Sequence, residues 1–140
     1  MSFNFSEGAK SLLRFGAGAM LCGFHGIAAL TGCWGYWFKG QEWEFINMVT
    51  KLGFPLPSIG ASLAALAECF GAGLLAIGLF TRYAAASVSF TMLVAACHDF
   101  TVYGRFDLPA CYALVALFFV FNSSGMYSID AKLIKAKTFL

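Results

Sequence analysis

Glu68 falls near the middle of a long apolar run, Ser58 to Phe80. An ionised carboxyl group at that depth in hydrocarbon is expensive, so it is expected to turn towards other helices or a wet cavity and find a partner or a proton there. That requirement makes it a candidate for moving protons. Its neighbours at helical spacing are Ala61, Ala64, Ala65, Gly71, Ala72 and Leu75, a mostly small face suited to close helix packing. The alternative is a structural glutamate that only bonds a neighbouring helix.

His25 lies nearer the outer third of the first apolar run, on a face shared with Arg14, Gly18, Cys22, Ala29 and Gly32. An imidazole there could donate to Glu68, take up a proton, ligate a metal or hold a quinone carbonyl, and the residues alone leave these roles open. His98 and Asp99 close the deep part of the third run, where Ser87, Thr91 and Ala95 continue the histidine's face inward. These positions predict one outward-opening pocket, with Glu68 and His25 as the catalytic pair and His98, Cys22, Thr91 and Trp34 lining the space for a quinone or other substrate. Separate interhelical contacts would account for the same residues. No metal is assigned, because no spacing of the H-E-x-x-H kind is present. A b-type haem held by His25 and His98 is disfavoured by their different depths and the lack of a facing glycine pattern. The cofactor stays open, with quinone the candidate.

The cysteines are Cys22, Cys33, Cys69, Cys97 and Cys111, and none forms a C-x-x-C pair. This argues against a four-helix enzyme that exchanges electrons with a quinone through a vicinal redox pair. Buried cysteine acting as a small apolar residue is the simpler reading. Cys33, Cys97 and Cys111 fall near the outer boundary, where one disulfide could form.

The elements that must position these residues are set by an apolar composition. Of 140 residues, 60% are hydrophobic and 11% are charged, against roughly 25% charged in a soluble domain. Such a chain has too little charge to cover a water-facing surface, so lipid is the expected solvent. Four apolar runs follow one another, at about 12–32, 58–80, 83–102 and 108–127. A helix of about 20 residues crosses a hydrocarbon core of about 30 Å. The fold class is therefore all-α: a single integral membrane four-helix bundle, since only helices satisfy these backbones within each segment.

Residues 1 to 11 are a polar lead-in, with Ser6 and Glu7 suited to start a helix. Lys10 and Arg14 ahead of an apolar stretch ending Leu30-Thr31-Gly32-Cys33 have the layout of a lipoprotein signal. The stretch is long for a signal and carries His25, so the first span is expected to stay as an anchor. The outer loop, 33–57, is crowded with aromatics, and within it Trp43, Ile46, Val49 and Leu52 repeat every three residues. This predicts a short interfacial helix that lids the outer end of the bundle. Gly53 to Pro57 then turns the chain into the second span. The second and third spans are joined by little more than Thr81-Arg82, so they are expected to be antiparallel neighbours. The tail 128–140 reads as a short basic interfacial helix.

Lys10, Arg14, Arg82, Lys132, Lys135 and Lys137 lie on one side and Lys39, Lys51 and Arg105 on the other. The richer side is expected to be cytoplasmic, which places both termini there. Arg14 and Arg82 sit at inner span ends, where snorkelling to phosphate or bracing the loops are the available roles. No basic groove with interleaved aromatics points to nucleic acid.

Several short motifs, in this order, resemble the DoxX family of small bacterial membrane proteins over roughly residues 11–131. They are Leu13-Arg14, Phe24-His25-Gly26, the stretch Leu52 to Pro57, Ala67-Glu68 with Gly71, Leu74-Leu75 and Gly78, and Thr81 to Ala85. The last is Gly125-Met126-Tyr127-Ser128-Ile129-Asp130, similar to the family's closing Gly-x-Tyr-Ser-Leu-Asp. The chain departs in having Ser123-Ser124 where the family often has Gly-Pro, which predicts a less sharply broken exit from the fourth span. Its outer loop is also richer in tryptophan, which puts any shared loop partner in doubt.

The resemblance implies a four-helix bundle in a bacterial inner membrane, often a small subunit beside a redox enzyme. In relatives it implies links to quinone-dependent thiosulfate oxidation and to membrane handling of thiol or oxidative stress. Carried over by position, His25, Glu68 and Arg82 match motif residues and His98 matches less well. The expected function is a subunit of a quinone-linked redox system. A non-catalytic assembly or anchoring subunit is the alternative, and a small proton-coupled transporter the third. The expected partners are the lipid bilayer and either a protein partner or further copies of this chain.

Overall fold

The computed structural model describes residues 5–122 and 124–138, with side chains to Lys135. The first four residues of the lead-in, Ser123, the Lys137 side chain and the end of the basic tail lie outside the described residues.

Every regular element among the described residues is a helix. The first helix, α1, runs unbroken from Phe5 to Lys39, 35 residues, so the lead-in and the first part of the outer loop both belong to it. It passes through Cys33 without a break. The lid helix α2, Glu44–Lys51, forms where the three-residue apolar repeat predicts it, with extended Trp43 before it and Val49 buried beneath it. The α3 helix, Pro57–Ile77, opens on a proline whose missing donor costs nothing at the first helical position. Next come α4, Thr81–Tyr103, and α5, Asp107–Phe121. The short α6, Ile129–Thr138, closes the described chain.

Among the described helices, α1, α3 and α4 are long and apolar enough to cross a membrane. The apolar run expected over 108–127 behaves differently, because α5 stops after 15 residues. At about 1.5 Å per residue it extends about 22 Å, short of the about 30 Å of a hydrocarbon core. Asn122 is already extended, so the exit is sharp rather than softened. Beyond it Ser124 and Ser128 pair through their hydroxyls, and Ser128 bonds the Gly125 carbonyl and the Ala131 amide. Serine side chains that satisfy backbone groups locally compete with helix in this way.

The helices pack as antiparallel neighbours. Gly18 and Gly26 let α1 lie directly on the α3 backbone: a Cβ at Gly18 would sit 2.6 Å from the Ala72 carbonyl oxygen, and one at Gly26 would be 2.6 Å from the Cys69 Cα. Such close approach is available only to residues without side chains. α3 meets α4 where Gly71 faces Ser87 and Val88. The core is mostly small and aliphatic, with Leu21, Ala72, Leu75, Ala84, Ala85, Val88, Met92, Ala113 and Ala116 packed with one aromatic ring, Phe119. A buried hydroxyl, Ser89, donates to the Ala113 carbonyl across α4 and α5.

The α3–α4 turn is made by Gly78 to Phe80, and Thr81-Arg82 form the first turn of α4 rather than the link itself. Gly78 is left-handed, with φ 73°, and its space is taken by the Arg14 guanidinium. Both conditions exclude a side chain.

Candidate functional site

Two π-helical turns interrupt otherwise regular helices, Cys22–Gly26 in α1 and Ala67–Gly71 in α3. A π turn widens the helix by one residue and is most often kept where a site needs it. These two pack against each other, with Gly26 on the Glu68 carbonyl, and they carry His25 and Glu68 respectively.

A cavity of about 460 Å³ opens beside them. Its floor includes Leu21, Glu68 and Met92, its walls include His25, Asp99 and Tyr112, and the lid contributes Trp43, Glu44, Phe45 and Met48. Glu68 is buried, 7% exposed. His25 stands out from α1 with its ring edge towards Tyr112, centroids 6.4 Å apart. The lid is seated by close contact, since the Trp43 indole lies on Gly32 and the Gln41 amide on Gly35. Trp37 ties α1 to α3 by donating to the Ser62 hydroxyl at 2.9 Å.

The structure brings only part of the expected pocket together. Glu68 and His25 line one cavity. His98 instead faces a neighbouring recess of about 650 Å³ with Lys51 and Tyr103, where its Nδ1 lies 3.1 Å from the Asp99 carboxylate. Asp99 borders both spaces. Three further residues expected in the pocket lie outside the cavity. Cys22 lies against α3, with its Sγ beside Gly73. Thr91 is buried within α4, where its hydroxyl donates to the Ser87 carbonyl. Trp34 is 57% exposed and stacks on Phe38, on the outer surface of α1. Packing decides these cases: Cys22 and Thr91 are turned to helix contacts away from the cavity, and Trp34 is turned to the outer surface of α1.

Tyr112, Trp43, Glu44 and Met48 line the cavity although none of them was among the residues expected in the pocket. A phenol inside the fourth apolar run was the available signal for Tyr112. The three-residue apolar repeat predicts the lid helix itself, but which of its side chains reach the cavity follows only from packing. Among the described residues, no group of three His, Cys, Asp or Glu side chains is placed to hold a metal.

At the opposite end of the bundle Arg14 and Asp130 organise a second polar cluster. Arg14 is buried, 2% exposed, and donates to the Tyr127 carbonyl at 3.0 Å. This is bracing rather than snorkelling. Arg82, by contrast, is exposed. The Asp130 carboxylate accepts from the Phe80 and Thr81 amides, both at 2.9 Å, and from the Thr81 hydroxyl at 2.7 Å. Partial burial pushes the Asp130 carboxyl up, but the Thr81 and Phe80 hydrogen bonds and the Arg14 charge outweigh it and hold the group below its ordinary value. The start of α1 joins the same cluster, where the Met126 amide donates to Glu7 at 3.1 Å.

The order of these features agrees with a comparison against protein families, in which the DoxX family model matches residues 9–104. The chain belongs to the DoxX family. The matched stretch runs from the first turns of α1 to the end of α4, so it includes His25, Glu68, Arg14, Arg82 and His98. Tyr112 and the closing motif from Gly125 to Asp130 lie beyond it. No curated protein and no solved structure matches this DoxX chain.

Proposed function

We propose that this DoxX protein serves a quinone-linked redox system of a bacterial inner membrane, with the quinone head entering the cavity between α1, α4 and the lid. The observation that carries this reading is the meeting of an imidazole and a buried carboxyl, from two facing π turns, at one largely apolar cavity. Small-molecule sites have this character, with apolar walls and a few placed polar groups. His25 or Tyr112 would donate to a quinone carbonyl, and Glu68 would manage the protons that accompany two-electron reduction. The Glu68 side chain makes no hydrogen bond to a described residue, which leaves its carboxyl for an occupant.

In this reading α5 completes a fourth crossing, and both termini are cytoplasmic. Supporting it, the start of α1 and the exit of α5 meet at one end, where Glu7 and Arg14 bond Met126 and Tyr127. That arrangement favours an even number of crossings. Most of the basic residues gather at the same end. A partner protein would connect the site to the rest of the system.

The test is binding of a short-tailed benzoquinone, decylubiquinone, followed by quenching of Trp43 in a Trp34→Phe, Trp37→Phe background. Saturable quenching is expected, with Glu68→Gln and His25→Ala each weakening binding about tenfold, the loss of one good polar contact. Quenching that does not saturate, or that neither substitution changes, overturns the reading. A second reading rests on charge: Glu44, Glu68 and Asp99 line the cavity, and among the described residues no Lys or Arg lines it with them. This favours proton exchange for a lipophilic cation. Tetraphenylphosphonium in the same titration separates the two, since saturable quenching by the cation and not by the quinone supports the second.

A further inference from the structure

At the end of the bundle where α1 starts and α5 exits, the carboxylates are already engaged. Glu7 pairs with Lys10 at 2.7 Å, and Asp130 is held by the Phe80 and Thr81 amides and the Thr81 hydroxyl. Arg82, Lys132 and Lys135 are exposed at the same end, and among the described residues none of these three side chains has an ion-pair or hydrogen-bond partner. They come from segments that are locked together. The Asp130 amide donates to the Gly78 carbonyl at 2.9 Å while its carboxylate takes the amides that open α4, so the first turn of α6 is fixed against the first turn of α4. Arg82 follows Thr81 directly, and Lys132 lies two residues beyond Asp130. On α6, Lys132 and Lys135 are one turn apart and share a face. Ile129 and Leu133, also one turn apart and both exposed, form an apolar stripe beside that face. Exposed Phe80 and Tyr83 stand on either side of Arg82 in the chain.

We propose that Arg82, Lys132 and Lys135 form a binding surface for the headgroup of an anionic phospholipid, in which the three cations take the phosphate and Ile129, Leu133 and Tyr83 meet the start of the acyl chains. The occupant is a lipid rather than a soluble anion because the cations stand at the end of a membrane-crossing helix, beside exposed apolar side chains. That layout fits a molecule anionic at one end and apolar at the other. A guanidinium makes paired hydrogen bonds to phosphate oxygens. Ammonium groups on long stems reach the same plane while their methylenes stay in apolar surroundings. A zwitterionic headgroup brings its own ammonium, which the three cations repel, so the surface discriminates by headgroup charge. Lipid held here adds to the Asp130 bonds in fastening α6 to the bundle. The surface lies at the opposite end from the cavity and is independent of what the cavity holds.

The experiment is a lipid titration of the purified full-length protein in mild detergent, read by native mass spectrometry. One arm uses dioleoylphosphatidylglycerol and the other dioleoylphosphatidylcholine, which has the same acyl chains. We expect the anionic lipid to bind more tightly than the zwitterionic one by about tenfold or more, since several basic residues add their attraction. Arg82→Gln, Lys132→Gln and Lys135→Gln should each weaken the anionic lipid about fivefold, the ordinary effect of one basic residue at an anionic surface. The triple variant should bind both lipids alike. All three side chains are exposed, so the substitutions leave the fold in place. Lys10→Gln removes the same charge from the same end, but from a cation already paired with Glu7, and should change binding by less than about twofold. Equal binding of the two lipids by the wild type, or a preference that survives the triple variant, overturns the surface. So does an equal loss in Lys10→Gln, which would mean that net charge and not a built site attracts the lipid.

Discussion

Asp130 caps a helix that begins 49 residues before it, through bonds to the Phe80 and Thr81 amides and the Thr81 hydroxyl. A carboxylate at a helix N-terminus satisfies orphan donors and meets the positive end of the helix dipole. Asp130→Asn keeps the shape and removes the charge. It should lower stability at neutral pH by about 1 kcal/mol, below the range of about 1.5–3 for bonds to a charged group because the site is partly solvated. The folded-state value of Asp130 is depressed, which sets the sign of the pH dependence. Its contribution is complete above the ordinary carboxyl value of about 4 and is lost as pH falls through the lower folded value. Thermal melts in detergent from pH 7 down to pH 3 should therefore show a shallower acid limb in Asp130→Asn than in the wild type. Equal limbs would show that the cap adds nothing.

At the scale of elements, the contact that matters most is α1 on α3. A Cβ at Gly26 would meet backbone atoms of Glu68 and Cys69, which cannot give way as a flexible side chain can. Gly23, in the same π turn, has open space around it. Gly26→Ala should cost about 1–3 kcal/mol, the range for overpacking a tight contact. Gly23→Ala should stay within about 0.5 kcal/mol, as surface changes do. Differential scanning fluorimetry of the two variants checks this, and equal melting temperatures would mean the helices do not meet as described. Because Gly26 also sets the spacing between the two π turns, the Gly26→Ala variant should weaken decylubiquinone binding together with stability.

For the whole molecule, the topology turns on α5, whose 15 residues make it shorter than the hydrocarbon core. A helix shorter than the hydrocarbon core can cross by local thinning of the bilayer or by snorkelling of flanking residues. In a cysteine-free background, Glu42→Cys should react with an impermeant maleimide added outside intact cells. Lys132→Cys should react only after permeabilisation. Labelling of both from outside would place the tail beyond an odd number of crossings and leave α5 lying in the interface.

How much could be read from the chain follows from which signals are local. The membrane setting, the all-helical class, the antiparallel neighbours and the lid helix were legible, because hydropathy and three-residue spacing act along a single segment. Glu68 as an interior group followed from the cost of a carboxylate in hydrocarbon, and the structure buries it. The seating of Trp43 on Gly32, the role of Arg14 under Gly78, and the placing of His98 in its own recess were not legible. Each depends on contacts between segments far apart, which no periodicity encodes. The two π turns, each widening its helix by one residue, were not legible either. The sequence by itself determined a lipid-dwelling helical bundle with one stranded carboxyl. Tertiary packing alone decided that this carboxyl shares its cavity with Tyr112 and the lid residues Trp43 and Met48, and that His98 lies in a separate recess. The physical reason is that these groups come from separate helices, which meet closely because glycine at Gly18 and Gly26 removes the side chains that would otherwise hold the α1 and α3 backbones apart.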